Sequence, residues 1–249
     1  MAETTYYKLL EDLESYLEYQ REEGVLRIEV DRSVLEALAK EPAQEIVEEK
    51  TVSTEPVPND FQTVEAIAEH ISTCSNCGLC QTRTTTVPGE GNTDHPDIMF
   101  VGEGPGAEED AQGRPFVGKA GKLLDKMIVA MGYRREELYI ANVVKCRPPD
   151  NRKPVREEMD RCLPYLRQQI NLIQPKVLVG LGGTAVEGLL GHPVGITRMR
   201  GIWQEYAGFK LMPTFHPSYL LRDPSKKKDA WADLQLVLAE LGKAPPPRK

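Results

Sequence analysis

The chain has 249 residues and a formal net charge of −7. It contains no run near the roughly 18 apolar residues that a membrane-spanning helix needs, and its acidic, amphipathic start excludes a typical secretory signal peptide. We therefore expect a soluble, cytoplasmic protein with one domain of ordinary size and an extension.

The charge is unevenly distributed along the chain. Residues 1–60 carry 16 acidic and 6 basic side chains, whereas residues 61–249 carry 22 and 25. Although the total charge opposes a nucleic-acid partner, a mildly basic domain with an acidic extension is compatible with DNA binding.

Residues 1–60 are predicted to be an acidic helical extension that ends in a linker. Apolar residues recur at helical spacing within 4–20 and again within 30–38, which predicts two amphipathic helices. Residues 40–60 are polar and contain three prolines, as is typical of a linker. The helices either pack within the protein or dock a partner protein, and the sequence leaves both possibilities open.

Residues 61–243 are predicted to form an α/β domain. Apolar runs predict strands at 98–101, 138–144, 177–181, 202–206 and 210–215. Helical spacing predicts helices at 64–71, 119–131, 155–173, 184–190 and 229–241. Strands that are apolar on both faces and alternate with helices predict a parallel sheet covered by helices on each side. Residues 244–249 are expected to form a disordered tail.

The loop after the strand at 98–101 is the first candidate for an active site. It reads Gly102-Glu103-Gly104-Pro105-Gly106, and open α/β sheets bind ligands at the carboxyl ends of their strands. Its glycines let a ligand approach the backbone closely. The loop is neither a Walker phosphate loop nor a dinucleotide fingerprint, because the spacing of both is absent. A purely structural turn would have a similar composition.

Three further side chains are candidates, each with a structural alternative. Asn142 lies late in an apolar strand, where its amide either forms a core hydrogen bond or pairs with the edge of a base. His216 ends another strand before a Pro-Ser turn and is either structural or functional. Leu220, which shares a short loop with Leu221 ahead of three lysines at 226–228, is either part of the core or, with Leu221, an apolar wedge for a DNA duplex.

The cysteines suggest a metal centre. Their number is odd, which argues against a disulfide framework in a cytosolic protein. Cys74 and Cys77 have the Cys-x-x-Cys spacing of metal ligands, and Cys146 and Cys162 form a second pair that a loop could bring to the first. Four thiolates suit either Zn²⁺ or an iron–sulfur cluster. Unrelated buried thiols are the structural alternative.

Five motifs occur together in this chain: the four-cysteine pattern, GEGPG, GRPFVGKAG, YIANVVKCRPP and PTFHPSYLLR. Together they resemble the iron–sulfur (family four) uracil-DNA glycosylases over about residues 62–242. The resemblance implies a four-stranded parallel sheet with helices on both faces and a 4Fe-4S cluster. It also implies an enzyme that flips deoxyuridine out of single- or double-stranded DNA and hydrolyses its N-glycosidic bond, the first step of base excision repair. We expect a monomer.

The resemblance also implies roles for individual residues. It places the ligands of the cluster at Cys74, Cys77, Cys146 and Cys162, and leaves Cys80 as a surplus thiol that could compete with them. It places Gly102, Glu103 and Gly104 in the motif beside the scissile bond, Phe116 under the flipped base, Asn142 on its Watson–Crick edge, His216 near its O2 and Leu220 in the duplex.

Two features set the chain apart from related families. The position of the water-activating aspartate in family-one enzymes is Gly104, which cannot act as a base, so Glu103 or Glu109 is the candidate for this role. Relatives that trap uracil covalently carry a Lys-Arg-Arg-Ile-His insert, which is absent here. The alternative to an enzyme is a catalytically inactive domain that binds uracil-containing or single-stranded DNA. An electron carrier would not need Phe116, Asn142 and His216.

Overall fold

The computed structural model describes residues 57–58 and 60–247. The predicted extension and linker therefore lie almost entirely outside the described residues, as do the last two residues of the predicted tail. Residues 244–247 follow the final helix without regular secondary structure. Within the described part of the chain, no helix combines the length and apolar character needed to cross a membrane.

The sheet has six strands and is mixed. The strands are β1 (Glu90–Gly91), β2 (Ile98–Gly102), β3 (Tyr139–Asn142), β4 (Val177–Leu181), β5 (Gln204–Tyr206) and β6 (Phe209–Thr214). Their order is β1-β3-β2-β4-β6-β5. The four inner strands are parallel, whereas β1 and β5 pair antiparallel at the two edges.

The prediction of a four-stranded sheet is therefore wrong in strand number, although the four inner strands are parallel as expected. β5 and β6 are joined through Ala207 and Gly208, both with positive φ, and such a short turn can only connect antiparallel neighbours. β1 has two residues, which is too short to produce a hydrophobic pattern.

Helices cover both faces of the sheet. They are α1 (Val64–Ser72), α2 (Ala107–Gln112), α3 (Lys119–Ala130), α4 (Arg156–Ile173), α5 (Gly183–Leu190), α6 (Ile196–Met199), α7 (Pro217–Arg222) and α8 (Lys227–Glu240). One core layer packs α1, α4 and α5 against residues such as Met99 and Val101 of β2. The other packs α3 and α8 against Ile98 and Phe100. Alternate side chains of β2 thus enter opposite layers, as the period of a strand requires.

The parallel strands bring the predicted site residues together at the carboxyl ends of the strands. Gly102 and Asn142 are paired neighbours at the ends of β2 and β3. His216 follows the end of β6 and caps the amino terminus of α7. The carboxyl ends of these three strands therefore converge on the Gly102–Gly106 loop, where open α/β sheets place their ligands.

Candidate active site

A cavity of about 230 Å³ lies at the carboxyl ends of the parallel strands. Six predicted residues line it, namely Glu103, Gly104, Glu109, Phe116, Asn142 and His216. A larger groove of about 720 Å³ lies at the opposite, amino-terminal ends of these strands. Its carboxylate Asp97 is already paired with two lysines. Because the smaller cavity contains the predicted side chains and lies at the carboxyl ends of the strands, where open α/β sheets bind ligands, it is the candidate active site.

The amide of Asn142 faces this cavity with unused hydrogen-bonding capacity. Asn142 is 1% exposed, and its Oδ1 has no hydrogen-bond partner among the described residues. A buried acceptor without a partner is costly, so this oxygen is suited to a ligand. A Cβ on Gly102 would lie 2.4 Å from Asn142 Oδ1 and 2.5 Å from Phe116 Cζ. Only glycine at position 102 lets the amide and the ring come together.

The backbone around Phe116 is held in a fixed and unusual conformation. Phe116 has a φ of 52°, which is uncommon for a bulky residue. Arg135 Nη1 donates a hydrogen bond to the Phe116 carbonyl at 3.2 Å and is itself paired with Asp125 at 2.7 Å. A Cβ on Gly121 would lie 1.8 Å from the Phe116 carbonyl oxygen. The ring is therefore presented by a rigid loop, with its centroid 5.6 Å from that of His216.

Glu109 joins the two loops of the site. Its Oε2 accepts the Gly106 N–H at 3.1 Å, and its Oε1 accepts the N–H groups of Val117 and Gly118, each at 2.9 Å. Both carboxylate oxygens are thus committed to backbone donors. The side chain of Glu103 is half-buried in the cavity wall and forms no hydrogen bond within the described residues. Of the two candidates predicted to activate water, Glu103 is therefore the one whose carboxylate has no hydrogen bond in the described residues.

The surroundings of His216 determine where its proton lies. The Ser218 N–H donates to His216 Nδ1 at 3.1 Å, and Ser218 Oγ lies 2.7 Å from the same nitrogen. A backbone N–H can only donate, so Nδ1 is unprotonated and the neutral ring carries its proton on Nε2. Burial, followed by the charge of Arg222, lowers the pKa of His216 to about 4. At neutral pH the ring is therefore a neutral donor through Nε2.

Leu220 does not reach the surface of this structure. It is 1% exposed and packs with Phe215 and Ala230, whereas the next residue, Leu221, is 43% exposed. On α7, Leu221 follows the cavity residue Ser218 by three positions and so lies on the same helical face. The role of a duplex wedge at Leu220 stays a prediction, but the leucine available to DNA without rearrangement is Leu221.

The four predicted thiols share one region below the site. Burial, with smaller contributions from the charges of Cys146 and Cys74, raises the pKa of Cys77 to about 12. Burial followed by the charge of Cys146 likewise raises the pKa of Cys162. Buried thiols of this kind ionise only when a metal replaces their protons.

The donors around these sulfur atoms also suit a metal centre. Arg83 Nη1 lies 3.2 Å from Cys146 Sγ, the Lys145 N–H 3.3 Å from Cys162 Sγ, and the Tyr165 hydroxyl 3.5 Å from Cys74 Sγ. No group of three or more His, Cys, Asp or Glu side chains in the described residues is arranged around a single metal ion. Four cysteine side chains are a donor set that both an iron–sulfur cluster and zinc accept, and the cluster stays a prediction.

Several residues of the site were not identified from the sequence. Glu109 was considered only as a possible base, although a glutamate three residues after Gly106 at the start of a helix is the capping-box spacing. Lys145 is 0% exposed and directly follows the apolar run 138–144, which could have marked it. Nothing in the sequence indicated that Arg135 holds the Phe116 loop.

Comparison with known proteins gave consistent results. The sequence model of the uracil DNA glycosylase superfamily matches residues 88–235. A type-4 uracil-DNA glycosylase of Thermotoga maritima is 48% identical over 185 residues, which cover 74% of this chain and 93% of that protein. One of Sulfurisphaera tokodaii is 43% identical, covering 71% of this chain and 84% of that protein. One of Archaeoglobus fulgidus is 38% identical, covering 75% and 97%.

Proposed function

Because the chain belongs to the uracil DNA glycosylase superfamily, we propose that it removes uracil from DNA by hydrolysing the N-glycosidic bond of deoxyuridine. The products are free uracil and an abasic site, and the reaction begins base excision repair. Three complementary groups around one cavity carry this proposal: the open amide of Asn142, the ring of Phe116 and the Nε2–H of His216.

The extracted base is bound by its edge and its face. A base inside a duplex cannot reach a cavity, so the nucleotide must rotate out of the stack. Asn142 pairs with O4 and N3–H of uracil, and Phe116 stacks on the ring, a contact worth about 1–3 kcal/mol. The same amide in the same orientation would oppose the donor and acceptor of cytosine.

Bond cleavage is assisted at both of its ends. As the bond to C1′ breaks, negative charge develops on the base and positive charge on the sugar. His216 donates from Nε2 to O2 of the departing base, which stabilises the anion without requiring a protonated ring. Glu103 orients the water that attacks C1′ and offsets the positive charge on the sugar. Gly104 cannot take this role because glycine has no side chain, and a Cβ at this position would lie 2.7 Å from Val144 Cγ2.

Cys74, Cys77, Cys146 and Cys162 hold a 4Fe-4S cluster in this proposal. When bound, the cluster would be structural and would tie the segment around Cys74 to the loop after β3 and to α4. Cys80, which is 1% exposed, remains a neighbouring thiol outside the ligand set. Anaerobically purified protein should be brown and contain iron, and stoichiometric zinc without iron would exclude the cluster.

The test is a cleavage assay on oligonucleotides with one uracil, in single strands and in duplexes opposite guanine or adenine. The protein should leave an abasic site that alkali converts into a strand break, and it should release uracil. A matched oligonucleotide with thymine in place of uracil should stay intact. Tight binding to the uracil oligonucleotide with no uracil release under single-turnover conditions would instead identify an inactive binding domain.

A further inference from the structure

Lys145 is a fully buried cation without a carboxylate partner in the described residues. Its side chain is 0% exposed. Its Nζ donates to the Asn142 carbonyl at 2.9 Å and to Gln169 Oε1 at 2.6 Å, and both of these acceptors are neutral. Lysine is almost never fully buried unless an opposite charge compensates it. The negative charge that balances Lys145 must therefore come from another group.

The main chain of Lys145 indicates where that charge lies. Its N–H points at Cys162 Sγ, 3.3 Å away, and Cys146 is the next residue. Four thiolates that hold a 4Fe-4S cluster carry a net negative charge. The backbone of Lys145 thus contacts a predicted ligand of the cluster, and no anionic side chain of the described residues pairs with its ammonium.

Gln169 holds the ammonium in a fixed direction. Gln169 is 0% exposed, and its Nε2 donates to the Pro88 carbonyl at 2.8 Å and to the Tyr139 hydroxyl at 3.4 Å. Since the amide nitrogen is engaged on one side, its Oε1 must face Lys145. The ammonium is therefore aimed at the carbonyl of Asn142, the last residue of β3.

We propose that Lys145 is a positioning residue that connects the cluster to the base-reading strand. It balances the charge of the thiolates and holds the backbone of Asn142, so that the Asn142 amide meets the base in one position. This inference rests on the proposed function. It assigns base discrimination partly to a residue that touches neither base nor DNA.

The test replaces Lys145 with methionine, which keeps an unbranched apolar chain and removes the ammonium. Lys145→Met should retain iron and DNA affinity, while single-turnover uracil excision falls about tenfold or more and the preference for uracil over cytosine decreases. The reduction potential of the cluster should become more negative, because a nearby positive charge has been removed. Lys176→Met is the matched control and should change none of these quantities. Lys176 is 64% exposed and directly precedes β4, at the end of the sheet away from the site.

Each readout can overturn one part of the proposal. Wild-type excision and base preference in Lys145→Met would exclude the positioning role, and an unchanged potential would exclude the charge role. If Lys145→Met does not fold, Gln169→Met removes the group that aims the ammonium and should lower the base preference with iron retained; an unchanged preference would overturn the proposal. If the wild-type protein releases no uracil, the proposed function fails, whereas the potentials still test the charge role.

Discussion

Replacing Asn142 with aspartate should change the base preference of the enzyme. Uracil offers an acceptor at O4 and a donor at N3, and the Asn142 amide complements both. Cytosine offers a donor and an acceptor in the reverse order. A carboxylate at position 142 would still accept from N3–H of uracil, but it would oppose O4 and accept from the amino group of cytosine.

The size of the effect follows from the burial of the site. Asn142 is 1% exposed, so an unmatched polar group there costs about 1–3 kcal/mol. For the natural amide, cytosine presents two such mismatches, or about 2–6 kcal/mol, which corresponds to a preference for uracil of roughly 30-fold to 10⁴-fold. Asn142→Asp introduces one mismatch with uracil and should slow its excision about 5- to 150-fold. The excision of cytosine should rise relative to that of uracil.

Single-turnover excision from duplexes with a central U·G or C·G pair measures both effects. The assay belongs at pH 8, where an aspartate that burial makes less acidic is still ionised. Asn171→Asp is the matched control, because Asn171 is exposed on α4 and should change neither rate. If Asn142→Asp kept the full rate on uracil and the original preference, Asn142 would be structural. The reading group would then be sought among the backbone groups of the Gly102–Gly106 loop.

Four other outcomes are expected. Because the pKa of His216 is lowered to about 4, its ring is neutral above that pH, so the excision rate should stay level from about pH 8 to pH 5.5; a rate that titrates near pH 6.5 would contradict the neutral donor. Leu221→Ala should slow excision from duplexes much more than from single strands and leave the melting temperature unchanged, whereas Leu220→Ala should lower the melting temperature by creating a cavity worth about 2–5 kcal/mol; the reverse pattern would identify Leu220 as the wedge. Cys162→Ala should lose iron and fold poorly, and a folded, active variant would exclude a structural cluster. Protein that begins at Asp60 should excise uracil at the full-length rate, because the removed residues are acidic and repel phosphates; a loss above about tenfold would mean that they complete the site.

Most of the central domain could be predicted from the sequence because its signals are local. The strand Val177–Leu181 is apolar throughout and has the predicted bounds, and α4 begins one residue after its predicted start. The loops of the site could also be located, since glycine and proline mark them. The conformation of Phe116 depends instead on Arg135, which lies 19 positions away, and contacts of that kind leave no periodic signal.

The exposed leucine could not be predicted for a related reason. α7 has six residues, and a helix of that length begins wherever its cap places it. His216 is that cap. Its position determines which of the two leucines, Leu220 or Leu221, is exposed, and the sequence alone does not indicate that position. Likewise, the burial of Lys145 depends on its hydrogen bond to Gln169 of α4, which lies 24 positions away in the sequence.

The hydrogen bonds of Glu109 limit how the protein can be engineered. One carboxylate fastens the Gly102–Gly106 loop to the loop that presents the Phe116 ring, so the two loops behave mechanically as a single piece. A library that reshapes the ring loop to accept a bulkier base would at the same time displace the groups that handle water. Variants that accept a new base would then lose turnover, and useful variants should carry compensating changes in both loops.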